Sequence, residues 1–192
     1  MIDYKTFKKG YLTEWVDRSQ AARKAAEELA MKEVKPSLRD KYAYKSINSD
    51  LVFTLDGHKV EFKGKNEKKS NGSPYFTWTD AVKRFGEPDK DGWRLPTEKE
   101  MFSLITEYDR FFDKNNKCGV VDNRLKLPAN GYFDFTHKVA IGKERCCFYW
   151  TSDTKSENSG TAANLAITEL MCEVGIDRRG TGFCVRLVRE IQ

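Results

Sequence analysis

The order of signals along this chain predicts an α+β fold. Three observations carry that expectation. An Asp-Gly pair sits between two alternating apolar segments, two capped helical stretches follow it, and the remainder is a run of short strand-like pieces. Leu51-Val-Phe-Thr-Leu and Lys59-Val-Glu-Phe-Lys flank Asp56-Gly57. Asp-Gly supplies the positive φ that a type I′ turn requires, so these residues predict a β-hairpin. Residues 64–74 are polar, with two Gly, one Pro and Ser, and predict a connecting loop.

The helices come next. Thr77 or Thr79 can cap a short one that runs to about Phe85 and stops at Gly86 and Pro88. Thr97 with Glu100 forms a T-x-x-E capping box opening a second helix through Phe102, Leu104, Ile105 and Tyr108. Short strands are then predicted over 124–127, 131–135, 148–152, 162–167, 169–176 and 182–189. In the last of these, Phe183, Val185 and Leu187 alternate with Cys184, Arg186 and Val188, which predicts a closing strand with one buried face.

The amino-terminal part differs in composition. From Glu14 to about Lys35 the chain is rich in Ala, Glu, Lys and Arg, and Pro36 ends the stretch. Trp15, Ala22 and Leu29 recur every seven residues and make a thin apolar stripe. Residues 1–36 are therefore expected to be a helical tether, with a domain over 37–192. Two readings stay open: a helix packed on its own domain, or one that docks on another virion or surface protein or pairs with its copies. The stripe is too short to establish a coiled coil, so a homo-oligomer remains an open expectation.

Composition narrows the function classes. Twelve Phe, eight Tyr and four Trp in 192 residues exclude a disordered chain. The net charge of +5 is spread out, so no nucleic-acid partner is expected. The one dense basic patch, Lys63-Gly-Lys65-Asn-Glu-Lys68-Lys69, reads as a solvated hairpin tip or loop. No stretch approaches the roughly 18 apolar residues of a membrane span, and the first residues carry no signal-peptide core. The expectation is a protein made and kept in a cytoplasm unless a leader has been removed. Five cysteines, two of them adjacent and none in a C-x-x-C, read as free thiols rather than a disulfide framework or zinc site.

Five blocks then occur in a recognisable order. They are Phe76-Thr-Trp-Thr-Asp80-Ala81, Gly92-Trp-Arg-Leu-Pro-Thr97-Glu98, Leu127-Pro-Ala-Asn-Gly131-Tyr132, Phe148-Tyr-Trp150-Thr-Ser152 and Gly182-Phe-Cys-Val-Arg186-Leu-Val-Arg189. In this order they resemble the Fibrobacter succinogenes major paralogous domain and the related DUF1566 family, over residues 75–191. That resemblance implies a C-type-lectin-like fold, distantly akin to formylglycine-generating enzymes and to the variable proteins of diversity-generating retroelements.

Calcium is not expected: Glu87-Pro88-Asp89 precedes the second helix, and Trp150-Thr-Ser-Asp153 lacks the adjacent carboxamide and carboxylate a calcium loop needs. A Cys172–Cys184 redox pair is the feature an oxidoreductase reading would need, but a buried structural Cys184 accounts better for the sequence. No cofactor and no catalysis are expected. The resemblance places an exposed face on the loops between the last strands, and there Asp153, Asn158, Asn164, Asp177, Arg178 and Arg179 are the candidate ligand-binding residues. Their carboxylates, carboxamides and guanidinium groups suit sugar hydroxyls or a partner's polar surface. The expected function is a non-enzymatic binding or structural module, favoured as a phage fibre, decoration or receptor-binding protein reaching a cell-surface glycan or protein. A bacterial surface or secreted ligand-binding domain is the alternative, and an oxidoreductase a third.

Overall fold

In a computed structural model the described residues are 51–154 and 159–191, all within one unit spanning Asn48–Gln192. The expected tether of residues 1–36 and its helix lie outside the described residues, as does Asn158.

β1 (Val52–Leu55) and β2 (His58–Phe62) pair antiparallel with Leu55 opposite His58. Asp56 (φ 49°) and Gly57 (φ 81°) both adopt positive φ, so the turn is the tight hairpin that Asp-Gly predicts. Phe53, Leu55, Val60 and Phe62 turn inward. α1 (Trp78–Phe85) is capped by Thr77, whose hydroxyl accepts from Asp80 N at 3.2 Å, and it ends at Gly86. α2 (Glu98–Glu107) opens on a complete capping box. Thr97 Oγ1 accepts from Glu100 N at 3.1 Å, and Glu100 Oε2 accepts from Thr97 N at 2.7 Å. Met101, Leu104 and Ile105 are its buried face.

The rest is strand. β3 (Arg110–Asp113), β4 (Cys118–Val121) and β5 (Leu125–Pro128) form one antiparallel sheet. β6 (Tyr132–Asp134) and β7 (Val139–Ile141) form a two-stranded one. β8 (Cys146–Trp150), β9 (Thr161–Thr168) and β10 (Cys172–Arg178) form a third, with β9 central. β11 (Val188–Glu190) returns to pair with the free edge of β2, giving the order β1-β2-β11.

The α+β, C-type-lectin-like expectation is therefore corrected. Among the described residues the chain is mainly β, with eleven strands in four small antiparallel sheets and only two short helices. The discrepancy has a local cause. β3, β4 and β7 are three or four residues long, too short to show a period in the sequence. Besides Gly142, the positive φ values in their turns fall on Lys117, Asp122, Asn123, Lys138 and Glu144, and the three Lys and Glu positions give little sequence punctuation. Gly131 is the opposite case: with φ 67°, a Cβ there would sit 2.0 Å from the Ile141 carbonyl oxygen, so only glycine fits.

Two apolar cores result. The first lies under α2, where Met101 and Leu104 are buried together with Phe53, Phe62, Leu165 and Ile167. The second gathers Phe76, Trp78, Leu95, Trp150 and Phe183, with Trp150 and Phe183 rings 4.3 Å apart. Both indoles keep their N–H satisfied: Trp78 donates to Thr151 O at 3.0 Å and Trp150 to Phe76 O at 2.9 Å. The closing segment runs between the cores. Phe183, Val185 and Leu187 enter the second, while Cys184 and Val188 enter the first. The expected alternation is present, but both faces are buried, not one.

Candidate functional site

Most of the expected ligand-binding residues have structural work. The Asp153 carboxylate accepts from Glu98 N at 2.6 Å, adding a second acceptor at the N-terminus of α2, and from Ser152 Oγ at 3.1 Å. Asn164 is buried in the middle of β9, opposite Trp150 and Gly175. Asp177 Oδ1 accepts from Arg178 N at 2.6 Å and from Thr181 Oγ1 at 3.3 Å, closing the turn after β10. Arg179 lays its guanidinium over the Trp78 ring at 4.4 Å. It also donates to Thr161 O at 3.2 Å and Thr154 Oγ1 at 2.6 Å. Arg178 is exposed. Asp153 and Arg179 thus meet at one end of the β8-β9-β10 sheet as ties, with Asn164 further along it.

A different place gathers polar groups around a concavity. The loop after β2, the end of β5 and the closing segment enclose an open cleft of about 910 Å³, lined by Asn66, Lys68, Pro74, Lys126, Asn130 and Arg186 among others. Arg186 is only 2% exposed. Its Nε donates to Asn66 Oδ1 at 2.8 Å, one Nη to Lys63 O at 2.8 Å and the other to Lys126 O at 3.2 Å. Asn66 passes the network on, donating to the Tyr149 hydroxyl at 3.0 Å, which in turn donates to Pro128 O at 3.0 Å. Asn130 donates to Cys184 Sγ at 3.3 Å, and its carbonyl accepts from the Tyr75 hydroxyl at 2.7 Å. The cleft floor is therefore a connected, pre-positioned polar layer.

Charge at the cleft is one-sided. Lys65, Lys68, Lys126 and Arg186 line it against a single carboxylate, Glu67. Glu67 is tied to Lys63 Nζ at 2.6 Å. Burial holds the Arg186 pKa below its ordinary value, with the neighbouring Tyr149 hydroxyl and, more weakly, Glu67 favouring its charge.

Sequence reasoning missed this cleft, although both halves of it were visible. The basic patch over 63–69 was read as a solvated loop, and it supplies the rim. Arg186 stood in an apolar run, Phe183-Cys-Val-Arg186-Leu-Val, and an arginine so flanked on a segment buried on both faces cannot reach open solvent.

The thiols are of another kind. All five cysteines are free. Burial pushes the Cys147 thiol up to about 12 and the Cys184 thiol up to about 11. Cys147 Sγ accepts from Gly119 N and donates to Leu127 O, both at 3.1 Å, as a packed structural group does. Among the described residues no group of three or more His, Cys, Asp or Glu is gathered as a metal site, and no helix is long and apolar enough to cross a membrane.

Comparison with known proteins adds one family. Residues 54–126 match the model of a domain of unknown function, DUF8237. The match spans roughly two-fifths of the chain, from β1 to the start of β5. No curated protein and no solved structure matches. The matched stretch contains the cleft rim at Lys65 and Lys68 but stops before Asn130 and Arg186. Chemically, the cleft offers guanidinium and ammonium groups, carboxamides and two proline faces, groups able to hydrogen-bond, pair with charge and pack against a ring.

Proposed function

We propose that the chain is a non-enzymatic binding module whose ligand sits in the Arg186 cleft. The proposed setting is a phage virion fibre, decoration or receptor-binding component, with a bacterial surface or secreted ligand-binding protein as the alternative. The observation that carries the binding role is the buried Arg186–Asn66–Tyr149 network at the floor of an open cleft. Fixed polar groups facing a concavity lose little freedom when a ligand arrives, which is what a binding site needs. The raised thiols support the absence of cysteine chemistry, since a catalytic thiolate needs a depressed pKa.

The test is a binding screen of the full chain by ligand-observed NMR and thermal shift, with two arms. One holds purified bacterial envelope polysaccharides and the other small free saccharides. Saturable binding in the envelope arm is the expected result for a receptor-binding virion component, whereas binding confined to the small sugars selects the secreted or surface alternative. No saturable binding in either arm removes the binding role.

A further inference from the structure

We infer that the Arg186 cleft is built for an oxyanion, a carboxylate or phosphate carried on a polyhydroxylated ligand, so that the ligand is an acidic saccharide. The inference rests on the binding role proposed above and narrows it to a chemical class.

The starting point is an unbalanced charge. Taking a guanidinium out of water costs several kcal/mol unless it is paired and hydrogen-bonded. Elsewhere this protein pays that cost with carboxylates. Arg189 Nε donates to Glu61 Oε2 at 2.7 Å, and Arg94 forms a two-pronged pair with Glu100 at 2.7 and 2.8 Å. Arg186 is at least as buried, yet its hydrogen-bond partners are a carboxamide, two backbone carbonyls and the Tyr149 hydroxyl, all neutral groups. No carboxylate is among the acceptors.

The surroundings add to the imbalance instead of relieving it. Lys65, Lys68 and Lys126 line the same cleft with no carboxylate within salt-bridge distance among the described residues, Lys126 having only the longer-range charge of Asp113, whereas the neighbouring Lys63 and Lys69 are paired with Glu67 and Asp80. Exposed ammonium groups lining the same cleft as a buried guanidinium make a positive potential that an anion relieves. The planar fork of an arginine fits a carboxylate or phosphate edge, and the long lysine side chains can reach its remaining oxygens.

The rest of the wall selects what carries the anion. Asn66 and Asn130 place carboxamides at the cleft, and carboxamides both donate to and accept from hydroxyls. Pro74 and Pro128 offer flat apolar faces to a sugar ring. At about 910 Å³ the cleft falls within the ~300–1,000 Å³ range of small-ligand sites. A purely structural Arg186, stapling residues 63–66 to the closing segment, would explain its hydrogen bonds. It leaves the three lysines around one concavity without a role.

Calorimetric titration of the full chain with glucuronate, glucose 6-phosphate and glucose tests this. Saturable binding of one or both acidic sugars is expected, with glucose about tenfold weaker or silent. Comparison of the two acidic arms tells a carboxylate site from a phosphate site. A Lys68→Glu/Lys126→Glu double variant changes only exposed rim positions. It should weaken the acidic sugars by about tenfold or more while leaving the unliganded melting temperature unchanged. Glucose binding as tightly as glucuronate overturns the oxyanion inference and leaves the binding module standing, and so does silence of all three sugars alongside a positive envelope screen. Silence in both experiments overturns both.

Discussion

At the residue scale the chain shows how burial sets the chemistry of a side chain. Cys147 and Cys184 lie in the first core, where a thiolate would have no water and little compensating charge. Their folded pKa values, about 12 and about 11, stand above the ordinary thiol value near 9.0. A raised pKa means the native state holds its proton more tightly than the unfolded chain does. The stabilising effect is therefore fully present below about pH 9 and is lost as pH rises toward the folded values. Unfolding free energy should be flat around neutral pH and fall above pH 9, with each thiol contributing a slope of at most ~1.4 kcal/mol per pH unit. Urea titrations of the wild type and of Cys147→Ser from pH 7 to pH 10.5 measure this. The variant, which has no ionisable group there, should show the shallower alkaline fall. Equal slopes would mean that Cys147 does not hold its proton in the fold. None of this was visible in spacing alone: five scattered cysteines indicated free thiols, but which ones are buried depends on which strands pair.

At the element scale, signals that act within a few residues were legible and those that depend on tertiary pairing were not. The β1–β2 turn follows from Asp56-Gly57, and the start of α2 follows from Thr97 and Glu100. Both are local arrangements in which neighbouring residues satisfy one another. The β3–β4–β5 sheet lacks such a signature, because its strands are too short to show a period and its turns use Lys, Asp and Asn. The candidate site divides in the same way. Asp153 is a ligand candidate through the exposed loop face that the resemblance implies, and a contact 55 residues away in sequence, invisible at that range, makes its carboxylate an acceptor at the start of α2. Asp153→Ala should therefore cost about 1 kcal/mol, a loss of roughly 2–4 °C in Tm for a chain of this size. Binding at the Arg186 cleft should be unchanged in the same variant. Differential scanning calorimetry with a parallel ligand titration separates the two roles: an unchanged Tm with weakened binding would return Asp153 to the ligand site.

At the scale of the whole molecule, the segment from Gly182 to Glu190 holds the sheets together. Gly182 O accepts from Phe133 N at 2.8 Å, Phe183 N donates to Phe76 O at 3.0 Å, and Cys184 N donates to Phe148 O at 3.0 Å. Val185 O accepts from Glu67 N, Leu187 O from Lys63 N and Val188 N donates to Arg94 O, each at 2.9 Å. The hairpin sheet, β6, β8 and the segments before both helices are thus tied to residues at the far end of the chain, and pairings of that sequence separation are costly to close. The family match over 54–126 contains Lys63, Glu67, Phe76 and Arg94 but ends before Phe133, Phe148 and the closing segment itself. It keeps β2, both helices, β3 and β4, but only Thr54 and Leu55 of β1. It loses β8, β9 and β11, and with them Tyr149, Leu165, Ile167 and Val188 from the first core. A fragment of that length buries too little apolar surface to offset its chain entropy without those residues. Expressed alone, residues 54–126 should therefore show collapsed amide dispersion in a proton–nitrogen NMR spectrum and no cooperative thermal transition, while the full chain shows both. A cooperative melt of the fragment would mean that the matched stretch is a domain in its own right. The Arg186 cleft would then join a pre-formed unit to a separate strand system, instead of lying inside one fold.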